Sequence, residues 1–96
     1  MVKNKVVIIT GSAQGIGFEI GKYFAENEAK VILSDINESK LSEAVLSLQQ
    51  SGYESTGVKA DVTQEEDLQH LVNVAKETYG SVDIVINNAG LQHVSP

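Results

Sequence analysis

Three runs of apolar residues along the chain do not alternate with polar residues. They occupy positions 6–9, 30–34 and 82–86, and the second is closed by Asp35. A strand that is buried on both faces has this pattern, as in a parallel sheet covered by helices on either side. We therefore predict three such strands, and a weaker fourth at positions 55–60, where Val58 is the central apolar residue.

Apolar residues between these strands recur at intervals of three and four, the spacing of helices with one buried face. In the first helix Gly17 and Gly21 lie one turn apart, so we expect close packing on the sheet, and the helix ends near positions 27–28. Asn37 is predicted to cap the second helix, which ends at Gly52. The predicted buried stripes are Ile16, Ile20 and Phe24 in the first helix, and Leu41, Ala44, Val45 and Leu48 in the second.

The third helix begins with Thr63-Gln64-Glu65-Glu66, which matches a capping box headed by Thr63, and it ends at Gly80. Its predicted buried stripe is Leu68, Leu71, Val72, Ala75 and Tyr79. The resulting order, βαβαβαβ with short connections, predicts a Rossmann-type, doubly wound parallel α/β sheet, truncated, with strand order 3-2-1-4. Residues 1–96 are assigned to the N-terminal part of a single domain with this fold.

Composition argues against several classes of partner. Seven lysines against thirteen carboxylates give a net charge of −6, which disfavours nucleic acid and anionic membrane surfaces. The chain has no cysteine, hence no disulfide and no thiolate metal site, which suits a reducing cytosol. No apolar run is long enough for a signal sequence or a membrane span, so we expect a soluble cytoplasmic protein. His93 has no partner at ligand spacing, and no metal site is predicted.

The candidate site starts at the turn between the first strand and the first helix. Thr10-Gly11-Ser12-Ala13-Gln14-Gly15-Ile16-Gly17 has glycines that allow a sharp turn and close approach to a ligand, just before a helix N-terminus with unpaired N–H groups. No Lys or Arg lies between Lys5 and Lys22, so an anion bound here would depend on those N–H groups. A dinucleotide pyrophosphate fits this description, and the alternative is a plain strand-to-helix turn.

Three further segments follow the other predicted strands: Asp35, Asp61-Val62 and Asn87-Asn88-Ala89-Gly90. The carboxyl ends of parallel strands share one edge of the sheet, and ligands bind there in folds of this kind. We therefore predict that all four segments form one site. The alternatives are that Asp35 or Asp61 caps a helix and that the asparagines merely close a strand.

These motifs together resemble the amino-terminal part of the short-chain dehydrogenases/reductases, over essentially the whole chain. The resemblance implies that the pyrophosphate and adjacent riboses are lined by Gly11, Ser12, Gln14, Gly15, Ile16 and Gly17. It implies that Asp61 and Val62 contact the adenine, and that Asn88, Ala89 and Gly90 contact the ribose on the nicotinamide side, with Asn87 the more structural asparagine. Asp35 can accept both adenine-ribose hydroxyls and would repel a 2′-phosphate, which predicts NAD rather than NADP.

The activity implied by the resemblance is hydride transfer between NAD and an alcohol or ketone. Catalysis in that family needs a serine and a Tyr-x-x-x-Lys pair, but none of the three tyrosines has lysine four positions later. We therefore assign no catalytic residue and expect the chain to be an inactive fragment or truncated product, with its fourth strand an apolar edge prone to aggregation. A nucleotide-binding module without chemistry and a remnant that does not fold are the alternatives.

The last six residues, Leu91-Gln92-His93-Val94-Ser95-Pro96, resemble the corresponding run of D-3-hydroxybutyrate dehydrogenases. The resemblance implies that Gln92 helps to hold the carboxylate of a small hydroxy-acid substrate, for which a side-chain amide offers two neutral donors. The alternative is that Gln92 is an exposed loop residue. Full-length relatives are expected to be homotetramers.

Overall fold

Strands and helices alternate along residues 1–91, the part of the chain that the computed structural model describes. The strands are β1 (Val6–Thr10), β2 (Lys30–Asp35), β3 (Ser55–Lys59) and β4 (Ile84–Asn87). The helices are α1 (Gly15–Glu26), α2 (Glu38–Gln50), α3 (Glu65–Tyr79) and α4 (Asn88–Leu91).

The four strands form one parallel sheet in the order β3-β2-β1-β4, which confirms the predicted 3-2-1-4 topology. In this register Thr10, the last residue of β1, lies opposite Ser34 of β2 and Asn87 of β4. The strand ends are therefore aligned at one edge of the sheet. That edge is where the predicted site segments meet.

Helices cover the sheet on both faces and produce two apolar cores. One core joins α1 and α2 to residues such as Val7, Ile9, Val31 and Leu33. The other core is formed by Val6, Ile8, Ile32, Val58, Leu71 and Ala75 and includes α3. Consecutive residues of β1 and β2 are thus buried on opposite faces, which is why their sequences do not alternate.

Strand β4 differs from the prediction, because it begins at Ile84 and alternates in exposure. Ile84 and Ile86 are half-buried, whereas Val85 is 58% exposed. On the side of Val85, helix α3 packs mainly against β1 and β2, and Val85 stays exposed. Among the described residues β4 is an edge strand, as the sequence predicted.

The two glycines of α1 permit close packing against different partners. A Cβ at Gly21 would lie 2.6 Å from Leu33 Cδ2, so this glycine lets the helix approach the sheet, as predicted. A Cβ at Gly17 would lie 2.6 Å from Asn88 Nδ2 and would overlap the Gly11 carbonyl oxygen. Gly17 therefore packs against the strand-end segments rather than the sheet face.

The ends of α2 and α3 test the capping predictions. Asn37 caps α2 as predicted, because its Oδ1 accepts from the Lys40 backbone N–H at 3.1 Å. Gly52, one residue beyond the C-cap, and Gly80 both adopt positive φ, at 87° and 89°. The capping box headed by Thr63 is wrong: Gln64 occupies the N-cap position of α3 without a side-chain cap bond.

Two residues of the predicted α3 stripe, Leu71 and Ala75, are buried, but Leu68 is 38% exposed. Val74, which the stripe omitted, packs against the second core instead. Within residues 1–91 no helix combines the length and apolar character needed to cross a membrane. That range also contains no cluster of side chains suited to a metal ion.

Candidate functional site

A cleft of about 280 Å³ lies at the carboxyl ends of the strands. It is lined by Gly11, Asp35, Ile36, Ala60, Asp61, Val62, Thr63 and Ala89. These residues come from the ends of all four strands or directly follow them. The structure thus brings together the segments after β1, β2, β3 and β4 that the sequence predicted would converge.

The turn after β1 depends on glycine at two positions. Gly11 and Gly15 have φ values of 62° and 64°, a backbone region that side chains disfavour. A Cβ at Gly11 would also lie 2.9 Å from the Ala89 Cα. Glycine at position 11 therefore allows both the turn and the close approach of the segment after β4.

Helix α1 offers its N-terminus at the end of this turn. Its N-cap residue, Gln14, makes no side-chain cap bond, and its first turn carries no acidic residue. Gln14, Gly15 and Ile16 are exposed, with Ile16 at 73%. Helix α3, by contrast, has Glu65, Glu66 and Asp67 in its first turn. The N–H groups and dipole of α1 are therefore the ones suited to an anion.

Ser12 lies beneath the turn rather than on its surface. Its side chain is fully buried, its hydroxyl donates to the Ile9 carbonyl at 2.7 Å, and the same oxygen accepts from the Ser34 N–H at 2.9 Å. The Ser12 N–H donates to the Ser34 carbonyl at 3.0 Å. The Ser12 side chain therefore fastens the turn to β2, and the assignment of Ser12 to the pyrophosphate stays a prediction.

Asp35 connects the same turn to the end of β2. Its Oδ2 accepts from the Ala13 N–H at 3.1 Å and its Oδ1 accepts from the Asn37 N–H at 3.1 Å. Each carboxylate oxygen keeps a second lone pair for a further donor. Asp35 thus braces the glycine turn, while Asn37 caps α2.

The asparagine segment is bonded to the glycine turn from the other side. Thr10 Oγ1 donates to Asn87 Oδ1 at 2.9 Å and accepts from the Ala89 N–H at 3.2 Å. Asn88 Nδ2 donates to the Gly11 carbonyl at 2.9 Å. Asn88 is only 4% exposed, whereas Asn87 is exposed, and both side chains hold the segment against the turn, so the expectation that Asn87 is the more structural asparagine stays a prediction. Gly90 follows in α4.

The segment after β3 forms a closed turn. Asp61 Oδ1 accepts from the Thr63 N–H at 2.9 Å and from the Thr63 hydroxyl at 2.7 Å. These bonds draw Thr63 toward Asp61 and explain why Thr63 does not cap α3. Val62, which lies between them, joins both residues in the wall of the cleft.

The sequence did not indicate four residues near the site, which are Ile36, Ala60 and Thr63 in the cleft wall and Lys40 of α2. Ile36 lines the cleft and is 61% exposed. The sequence feature that could have indicated it is an apolar residue between two polar ones, Asp35 and Asn37, directly after a strand. Lys40 of α2 lines a neighbouring depression together with Gln14 and other turn residues. No local pattern indicated that contact. Gln92 lies outside the described residues.

A family model described as short chain dehydrogenase matches residues 5–96. An uncharacterized oxidoreductase of Bacillus subtilis, YxjF, is 41% identical over 95 residues, which are 99% of this chain and 37% of the relative. A diacetyl reductase of Staphylococcus epidermidis is 37% identical over 93 residues, covering 97% of this chain and 36% of the relative.

Solved structures agree with these sequence relatives. A hydroxysteroid dehydrogenase from Escherichia coli superimposes with a TM-score of 0.87 at 38% identity, covering 90% of this chain and 37% of that protein. A short-chain dehydrogenase/reductase from Burkholderia phymatum, crystallised with NAD, gives 0.86 at 32% identity, covering 88% and 30%. The chain spans little more than a third of the curated relatives it matches. Fold, motifs and sequence relatives together place this chain in the short-chain dehydrogenase/reductase family.

Proposed function

We propose that this chain is the NAD-binding part of a dehydrogenase that acts on a secondary alcohol or its ketone. The observation that carries the proposal is the cleft at four strand ends, next to an α1 N-terminus without a side-chain cap. The pyrophosphate and its riboses are assigned to Gly11, Ser12, Gln14, Gly15, Ile16 and Gly17. Asp61 and Val62 are assigned to the adenine, and Asn88, Ala89 and Gly90 to the nicotinamide-side ribose.

The geometry of the turn fits a dinucleotide. Gly11 and Gly15 keep the backbone free of Cβ atoms at positive φ, and the helix end supplies donors without a competing carboxylate in its first turn. In the overall reaction a hydride passes from the carbinol carbon to NAD, and the hydroxyl proton is released to a base, which leaves the ketone. The described residues contribute binding and orientation to this reaction.

The proposal specifies NAD over NADP because of Asp35. Its carboxylate lies in the cleft wall, where a ribose hydroxyl can donate to it and a 2′-phosphate would meet a like charge. The B. phymatum relative crystallised with NAD supports a nucleotide of this class.

Cofactor choice is tested by titrating the chain with NAD and NADP by calorimetry. We expect NAD to bind at least about tenfold more tightly, which corresponds to about 1.4 kcal/mol. Asp35→Asn keeps an acceptor for the Ala13 N–H but removes the charge. It should therefore reduce the difference in affinity between NAD and NADP, mainly because NADP binds more tightly. A preference of the unsubstituted chain for NADP would contradict the assignment.

We also propose that the 96-residue chain alone does not turn over substrate, because it lacks the family's serine and Tyr-x-x-x-Lys pair. Acid–base catalysis commonly contributes about 10²- to 10⁴-fold. The measurement is NADH formation with a panel of secondary alcohols. Turnover above a buffer control would overturn this proposal. NAD binding without turnover, in a longer protein that also lacks those residues, would favour a nucleotide-binding module.

For the substrate we propose 3-hydroxybutyrate and acetoacetate, on the resemblance of residues 91–96. In a dehydrogenase that contains this segment, Gln92→Ala should raise the KM for 3-hydroxybutyrate, since a hydrogen bond to a charged group contributes about 1.5–3 kcal/mol. NAD affinity should change less. An unchanged KM, or faster turnover of the uncharged ketone diacetyl by the unsubstituted enzyme, would reject this substrate.

A cytoplasmic location and a homotetrameric full-length form complete the proposal. Light scattering of a full-length protein that carries this segment tests the assembly, and a monomer or dimer would rule out the tetramer. Cell fractionation with an antibody against the chain tests the location.

A further inference from the structure

Asp67 is held in contact with the turn after β3 although it belongs to helix α3. Its Oδ2 accepts from the backbone N–H of Asp61 at 2.9 Å, across six positions. Asp67 is half-buried, and among the residues that line the cleft only Asp61, Val62 and Thr63 belong to this turn. Asp67 is not among the residues that line the cleft, and it contacts the cleft wall through the Asp61 backbone.

Asp61 also forms hydrogen bonds within the same segment. Its carbonyl accepts from the Gln64 N–H at 2.9 Å, and its carboxylate accepts both donors of Thr63. The preceding residue, Ala60, donates its N–H to the Asp35 carbonyl at 3.2 Å. The bond from Asp67 is a side-chain contact between the first turn of α3 and the backbone of this turn.

We infer that Asp67 is a positioning residue for the adenine part of the proposed nucleotide site. Its carboxylate fixes the Asp61 backbone, and with it the direction in which Asp61 and Val62 face the cleft. The inference rests on the proposed function, since it assigns a role to a residue that supports the proposed adenine contacts.

Three variants of the 96-residue chain test this inference with ADP-ribose as the probe. Asp67→Ala removes the acceptor, and Asp67→Asn keeps an acceptor oxygen but removes the charge. Glu66→Ala removes the same charge from the neighbouring exposed residue, for which the structure of residues 1–91 records no side-chain hydrogen bond. We expect the Kd for ADP-ribose to rise about tenfold in Asp67→Ala and to stay within about threefold of the parent in the other two.

A second readout does not depend on the ligand. Amide hydrogen exchange of Asp61, measured by NMR, should accelerate in Asp67→Ala and remain close to the parent in Asp67→Asn and Glu66→Ala. Equal loss of ADP-ribose affinity in Asp67→Ala and Glu66→Ala would overturn the inference, as would loss in Asp67→Asn as large as in Asp67→Ala. Unchanged Asp61 exchange in Asp67→Ala overturns it as well, whereas a parent chain that fails to bind ADP-ribose refutes the proposed function itself.

Discussion

Two buried serines beside the glycine turn differ in how their hydroxyl groups are satisfied. Ser12 Oγ bonds both the Ile9 carbonyl and the Ser34 N–H, whereas Ser34 Oγ, within the described residues, is buried without a hydrogen-bond partner. A buried unsatisfied polar group costs about 1–3 kcal/mol. We therefore expect Ser34→Ala to raise the free energy of unfolding by about 1 kcal/mol, measured by urea denaturation.

Ser12→Ala is the matched control, because it deletes the same atom from a satisfied site. It leaves the buried Ser34 N–H without its acceptor and should lower the free energy of unfolding by about 1–3 kcal/mol. Loss of stability in both variants would mean that Ser34 Oγ has a partner after all. At this scale the sequence predicted which residues surround the site but not their orientation, because Ser12 faces inward only once β2 is paired beside β1.

At the scale of the elements, the end of α1 carries a residue in an unfavourable backbone conformation. Glu28, just after the helix, has φ 69°, a region that costs a residue with a side chain about 1 kcal/mol or more. Its ion pair with Lys3, at 3.8 Å, joins side chains that are 64% and 68% exposed, and such pairs contribute little. We therefore expect Glu28→Gly to raise the melting temperature by a few degrees, corresponding to about 0.5–1 kcal/mol.

The control for this prediction is Glu28→Ala, which breaks the ion pair but keeps a Cβ at positive φ. It should leave the melting temperature unchanged or slightly lower. If both variants gain stability equally, removal of the charge rather than release of backbone strain is responsible.

The start of α3 shows why element ends were harder to predict than elements. Thr63 has the residue type and spacing of a capping-box residue, but the Asp61 carboxylate captures both its N–H and its hydroxyl. The sequence allows Thr63 either to cap α3 or to bond with Asp61, and the residue spacing alone does not distinguish these two arrangements. The predicted start of strand β4, at position 82, lies two residues before the observed start. Asp83 contacts β1 through its side chain, and the pairing of β4 with β1 begins only at the next residue, Ile84.

At the scale of the whole molecule, Asp83 connects the start of β1 to the segment before β4. Its Oδ2 accepts from the Val6 N–H at 2.8 Å, and this bond lowers the pKa of Asp83 below its usual value of 3.8, helped by the Ser81 hydroxyl and the charge of Lys5 and opposed by burial. Because the folded pKa lies below the unfolded one, the contribution to stability is present above about pH 4 and is lost as the pH falls through the folded pKa.

Asp83→Asn should therefore destabilise the chain at about pH 6 and much less at about pH 3. Urea unfolding at the two pH values measures the difference. Glu43→Gln removes a carboxylate from the exposed surface of α2 and should show no such pH-dependent loss. A loss in Asp83→Asn that is the same at both pH values would show that shape, not charge, matters at this position.

The topology of the sheet was predictable because non-alternating strands require cover on both faces, and the order of elements then leaves few arrangements. The convergence of Gly11, Asp35, Asp61 and Ala89 followed from that topology. The position of Lys40 beside the turn could not be derived, since neither the strand order nor a local periodicity indicates which side chain of α2 lies there.

Two hydrogen bonds, one between Thr10 and Asn87 and one between Asn88 and Gly11, also affect the order in which the molecule folds. Each bond spans 77 positions, so during synthesis the glycine turn emerges roughly 4 to 15 seconds before the residues that hold it. All residues of β1, the glycine turn and α1 are therefore synthesised several seconds before the asparagines that hold the turn in place. A nucleotide that binds only the finished turn would select chains in which β4 has docked, and its binding would report that β1 is paired on both sides.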